Sequence, residues 1–125
     1  MKMRFYHRAE RHFRRKSTWV GSVEKARPSY IVGESRKDYA NIGLTHDPYK
    51  GKGKRNHLLK LNPDPRDKQK AYMRKSVEIT PKRNFKGGVL SWFRRLHHDD
   101  EAFVDEQVEK KKAFLGRKVG KGHER

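Results

Sequence analysis

The chain has no cysteine, which excludes disulfides, thiolate zinc sites and a cysteine nucleophile, and with them the zinc-ribbon class of small basic proteins. It has no long apolar run either. No window approaches the roughly 18–20 apolar residues of a membrane span, and no secretory apolar region follows the basic start, so a cytoplasmic, non-membrane protein is expected. An Arg-rich, acid-poor start suits an organelle transit peptide, but hydroxyl residues are nearly absent before Ser17. Apolar residues are scarce, at 32% of 125, so one domain with a lean core is expected, with some segments unpacked or a partner completing the burial. Acids are scarce as well: 15 Asp and Glu face 33 Lys and Arg, a net charge of +18. Solubility needs only about 2–8 net charges on a small domain, so the excess points to a polyanion, nucleic acid first.

Residues 1–18 hold seven Lys and Arg against Glu10 alone and read as a basic arm that touches phosphate; Phe5, Ala9 and Phe13 draw only a thin line on a short helix. Trp19-Val20-Gly21-Ser22-Val23 reads as a first strand with Trp19 and Val23 on one face. The clearest unit is a β-hairpin: Pro28 opens the strand Ser29-Tyr30-Ile31-Val32, Gly33 stops it, the polar turn of residues 34–38 follows, and residues 39–45 return. Residues 47–70 form a long basic loop in which only Leu58-Leu59-Lys60-Leu61 can make a strand. Residues 71–80 return to β character, with Met73, Lys75, Val77 and Ile79 on one face, and Pro81 ends them. Val89-Leu90-Ser91-Trp92-Phe93 is a short strand or a helical turn. Residues 102–115 predict an α-helix introduced by Asp99-Asp100-Glu101, packed through Phe103, Val104, Val108, Phe114 and Leu115, and stopped by Gly116. The expected organisation is a basic arm (1–18), a β domain closed by the helix (19–115) and a flexible basic tail (116–125).

The hairpin carries the candidate chemistry. Arg27 precedes one strand and Thr45-His46 end the other, so a guanidinium, a hydroxyl and an imidazole can meet at one end of two paired strands. Arginine's planar fork matches two phosphate oxygens, Thr45 can donate a hydroxyl hydrogen bond, and His46 is suited to pass protons at neutral pH. Thr45 and His46 point oppositely in an extended strand, so both reach one ligand only if the strand ends there, as Asp47-Pro48 predicts. Each has a plain structural role open to it: solvent contact for Arg27, a strand end for Thr45, a turn cap for His46. Lys50, Lys52, Lys54, Arg55 and His57 would track an RNA backbone, with Tyr49, Tyr72 or Trp92 available for base stacking. The histidines show no metal-ligand spacing, since adjacent His97 and His98 are expected to point apart, so no metal and no cofactor are expected.

Taken in order, Ala26-Arg27-Pro28 with Tyr30-Ile31-Val32, then Ile42-Gly43-Leu44-Thr45, then Ser76-Val77-Glu78-Ile79-Thr80 and the acid-led closing helix resemble the PemK/MazF-type toxins of bacterial toxin–antitoxin systems. The resemblance spans residues 19–115, and its chemically specific positions are Arg27, Pro28 and Thr45. It implies a small SH3-like (CcdB/PemK-type) barrel with a C-terminal helix, a homodimer with an RNA groove and an acidic antitoxin partner. The implied activity is metal-independent endoribonuclease cleavage of single-stranded RNA, with Arg27 and Thr45 in the positions of the family's catalytic pair. This chain departs from the family in lacking its Gly-Asp-apolar opening and in carrying the basic arm and a longer Asn62-Pro63-Asp64-Pro65 loop. The other reading is a non-catalytic basic RNA-binding or ribosome-associated protein, which would use phosphate contacts interchangeably.

Overall fold

A two-residue turn organises the molecule. Gly21 takes a positive φ of 64°, which no side chain favours, and Gly21-Ser22 folds residues 12–34 into one long hairpin. A computed structural model describes residues 2–51 and 53–123, with 117–123 by backbone alone. Its strands are β1 (Arg4–Phe5), β2 (His12–Val20), β3 (Val23–Glu34), β4 (Asp38–Thr45), β5 (His57–Leu58), β6 (Tyr72–Met73), β7 (Glu78–Pro81) and β8 (Phe85–Lys86), followed by helix α1 (His98–His123). All pairings are antiparallel, and the sheet runs β5-β6-β4-β3-β2-β8 as an open path, with β1 added to β3 and β7 to β4. Its ends do not meet.

Several expectations change. The segment read as a basic arm is part of the sheet: β1 and β2 both pair with β3, and Phe13 is buried in the core against Tyr30. Residues 19–23 are the hairpin tip rather than a strand, because the Gly-Ser turn pairs Val20 with Val23 and Trp19 with Glu24. Pro28 lies inside β3, where β3 has left β4 and keeps only β2 as neighbour, an edge position that tolerates a missing N–H. Gly33 does not stop β3, which bulges there and continues to Glu34. Residues 71–80 split into β6 and β7, because between the pairs Leu44–Met73 and Asn41–Glu78 the facing chain has more residues than β4 and must loop out. Residues 89–93 are a turn, with Phe93 N–H donating to the Leu90 carbonyl (3.1 Å). The helix continues through Gly116 to His123, since Gly116 does not take the positive φ that a glycine stop requires. Lys75 is exposed while Met73 and Val77 are buried.

Alternation explains the two faces of the sheet. Tyr30, Val32, Ile42 and Leu44 join Phe13, Met73 and Val77 in the core, and α1 completes it through Val104 and Val108. Phe103 packs at the margin, whereas Phe114 is largely exposed. The intervening residues Ser29 and Asn41 face the other way and are buried as a polar network. Ser29 Oγ donates to Asn41 Oδ1 (2.8 Å), and Asn41 Nδ2 donates to Thr80 Oγ1 (3.0 Å) and to the Glu78 carbonyl (3.2 Å). No helix of the described residues is long and apolar enough to cross a membrane.

Candidate functional site

On this polar face lies an open cleft of about 690 Å³, built from β2, β3, β4 and the start of β7. Register dictates its composition. Lys16 pairs with Arg27 and Ser29 with Gly43, and cross-strand partners share a face, as do residues two apart in one strand. Lys16, Thr18, Arg27, Ser29, Gly43 and Thr45 therefore all line the cleft, with Arg74 and Glu78 closing it. Arg27 and Thr45, expected at one end of the hairpin, both line this cavity. His46 and Asp47 join them because β4 ends at Thr45 and the chain bends. A neighbouring cavity of about 210 Å³ also touches Arg27, Thr45 and His46 and reaches Asn62, Asp67 and Phe93.

The charges in the cleft are unequally compensated. Lys16 Nζ is bound to Glu78, and Asp47 Oδ1 accepts from the Tyr49 N–H (2.9 Å). Arg27 is exposed and Arg74 half-buried, and neither guanidinium has a hydrogen-bond or ion-pair partner among the described residues. Two arginines thus face the cleft with their donors unused. Thr45 is buried, and its Oγ1 accepts from the Asp47 N–H (3.1 Å), which fixes the hydroxyl and leaves its own hydrogen free to donate. His46 Nε2 lies 2.6 Å from Asp67 Oδ2. Burial would raise the Asp67 carboxyl, but hydrogen bonds from His46, the Gln69 N–H and Asn62 outweigh it and hold the group below the usual carboxylate range. Asp67 is ionised at neutral pH and orients the imidazole.

The other expected nucleic-acid contacts are dispersed. Lys50, Lys54 and Arg55 lie in a tight exposed loop closed by the Tyr49–Arg55 bridge and by Lys50 N–H donating to the Lys54 carbonyl (2.7 Å). None of them lines the cleft. Lys52 lies outside the described residues. His57 is tied to the helix: its Nε2 is 3.0 Å from Asp100 Oδ1 and its ring stacks flat on Phe103 (3.9 Å between centroids). Two of the three stacking candidates are covered by cations, Trp92 by Arg66 at 3.5 Å and Tyr49 by Arg55 at 5.7 Å. His97 and His98 do not point apart but stack at 4.3 Å, because they lead into a helix instead of lying in a strand. With Asp99 their donor atoms come within 4.8 Å of one another, but Asp99 is held by Lys60 Nζ (2.8 Å), and none of the three lines the cleft.

Sequence reasoning missed Lys16, Arg74 and Asp67. Gly21-Ser22 as a two-residue turn was the signal for Lys16. Nothing local marks Arg74 or Asp67. No family model matches the chain, and no curated protein or solved structure matches it.

Proposed function

We propose that the cleft binds single-stranded RNA and cleaves it without a metal, as the resemblance to PemK/MazF-type toxins implies. The carrying observation is the shared cleft of Arg27 and Thr45, in which the Arg27 and Arg74 guanidinia have no partner among the described residues. Arg27 and Arg74 hold the scissile phosphate and offset the extra charge of its pentacoordinate transition state, and the Thr45 hydroxyl donates to a phosphate oxygen. With Nε2–H directed at Asp67, His46 presents an unprotonated Nδ1 as general base. The 2′-hydroxyl gives its proton to Nδ1, its oxygen bonds to phosphorus, and the bond from phosphorus to the 5′-oxygen breaks. The products are a 2′,3′-cyclic phosphate and a 5′-hydroxyl end, the leaving oxygen taking its proton from water. An open antiparallel sheet with a C-terminal helix supports the SH3-like barrel of that family at its coarse level only. The same reading carries a homodimer and a small acidic antitoxin that blocks the cleft by charge.

The test is purified protein incubated with single-stranded RNA in the presence of a chelator. Cleavage to 5′-hydroxyl ends is expected, with Arg27→Ala lowering turnover by about 10²–10³-fold while RNA remains bound. Intact RNA bound tightly by both proteins would replace this reading with the non-catalytic binder. One observation favours that second reading: Thr45 Oγ1 already serves the strand end through Asp47.

A further inference from the structure

Opposite the cleft, on the core face of the sheet, is a second cavity of about 350 Å³, within the size range of small-ligand sites. Its floor is aromatic. The rings of Phe13 and Tyr30 lie 4.6 Å apart and those of Phe13 and Phe93 5.0 Å apart. Its walls carry arginine. The Arg11 side chain is only 5% exposed; its Nη1 donates to Glu101 Oε2 and Asp105 Oδ1, both at 2.7 Å. Its Nε has no acceptor, which makes it the one buried side-chain polar atom among the described residues left unsatisfied. On the rim, Arg94 and Arg95 are exposed and make no hydrogen bond or ion pair from their guanidinia to any of the described residues. Glu101, the cavity's one carboxylate, is fully engaged, Oε1 by the Tyr30 hydroxyl and Oε2 by Arg11.

Cationic donors beside an aromatic wall match an anion joined to an aromatic ring. Inorganic phosphate would use the arginines alone. We infer that this cavity binds one nucleotide unit, with the phosphate on Arg94 and Arg95 and the base against Phe93. The unit is a free nucleoside monophosphate or one residue of an RNA strand, and the site stands independently of cleavage in the cleft.

The test is calorimetric titration of the full chain with adenosine 5′-monophosphate, inorganic phosphate and an RNA pentanucleotide, in enough salt to screen loose surface attraction. The monophosphate is expected to bind one per chain and more tightly than phosphate, and to be weakened about tenfold or more by Arg94→Ala with Arg95→Ala. Removing the same charge elsewhere, Lys68→Ala with Lys70→Ala, should leave it unchanged, and Leu90→Trp, which fills the cavity, should abolish it. If only the pentanucleotide binds, and the Arg94/Arg95 pair weakens it with the same selectivity, the unit is part of a strand. Phosphate binding as tightly as the monophosphate, equal loss in both double variants, or no binding of either nucleotide would overturn the assignment. None of these outcomes depends on whether RNA is cut.

Discussion

Asp67 is the side chain through which the 62–70 loop reaches the cleft, and it does so by fixing His46. Asp67→Asn preserves shape but replaces a carboxylate, which only accepts, with an amide that also donates, and so loosens the hold on His46 Nε2. Under the proposed mechanism, turnover should fall by about tenfold or more with RNA affinity little changed, a split that single-turnover and binding assays separate. The same carboxyl gives a stability prediction of definite sign. Its folded pKa is depressed, so its stabilisation is complete above the unfolded value of about 3.9 and is lost as pH falls through the folded one. The difference in thermal midpoint between wild type and Asp67→Asn should therefore shrink as the pH falls below about 4. Arg27 and Thr45 were legible in the sequence because a hairpin with a short turn and a period of two fixes which side chains share a face. Asp67 and Arg74 were not legible, since a looped-out register brings Arg74 to the cleft and a loop path brings Asp67 to His46. His57 was misread because a basic loop says nothing of the buried Asp100 it meets.

Elements were legible where a local signal stood alone and were lost where a distant strand decided. Residues 28–45 read as a hairpin because β-branched runs flank a polar turn, and the helix read correctly at its acidic start. The N-terminal segment gave no such signal: β1 and the first half of β2 are strands only because β3 lies beside them, so their charges looked like an arm. Gly33 shows the same override. It reads as a strand end, yet β1 crosses it so closely that an added Cβ would come within 2.8 Å of the Arg4 carbonyl oxygen and 3.1 Å of Phe5 Cα. Both obstacles are backbone, and β1 is pinned there by Tyr6 N–H donating to the Val32 carbonyl (2.8 Å). Gly33→Ala should thus push β1 off the bulge and destabilise the fold by about 1–3 kcal/mol, measured by urea denaturation. Gly43→Ala is the control: its added Cβ would meet only Arg74 Cδ at 4.0 Å, an ordinary contact, and stability should be nearly unchanged.

For the whole molecule, the decisive quantity is how the acids are used. Every carboxylate among the described residues has a hydrogen-bond or ion-pair partner within the protein, from Glu10 with Arg4 and Glu34 with Lys82 to Asp105 with Arg8 and Arg11. The acids are spent on architecture, in particular on tying residues 8–11 to α1, and the net +18 is left as unneutralised cation. Two effects of salt then oppose each other. Screening weakens the ion pairs, most of which are exposed at one partner or both and contribute about 0–1 kcal/mol each. It also weakens the mutual repulsion of the surplus cations, which grows with the square of net charge and acts against the compact state. With more than twice as many basic as acidic side chains, repulsion should win. The thermal midpoint at pH 7 should therefore rise with sodium chloride through the physiological range and, under the proposed function, rise further with RNA bound to the folded state. A midpoint that falls with added salt would mean that the ion pairs outweigh the surplus, and the cationic face would then lose its claim to be held ready for a polyanion.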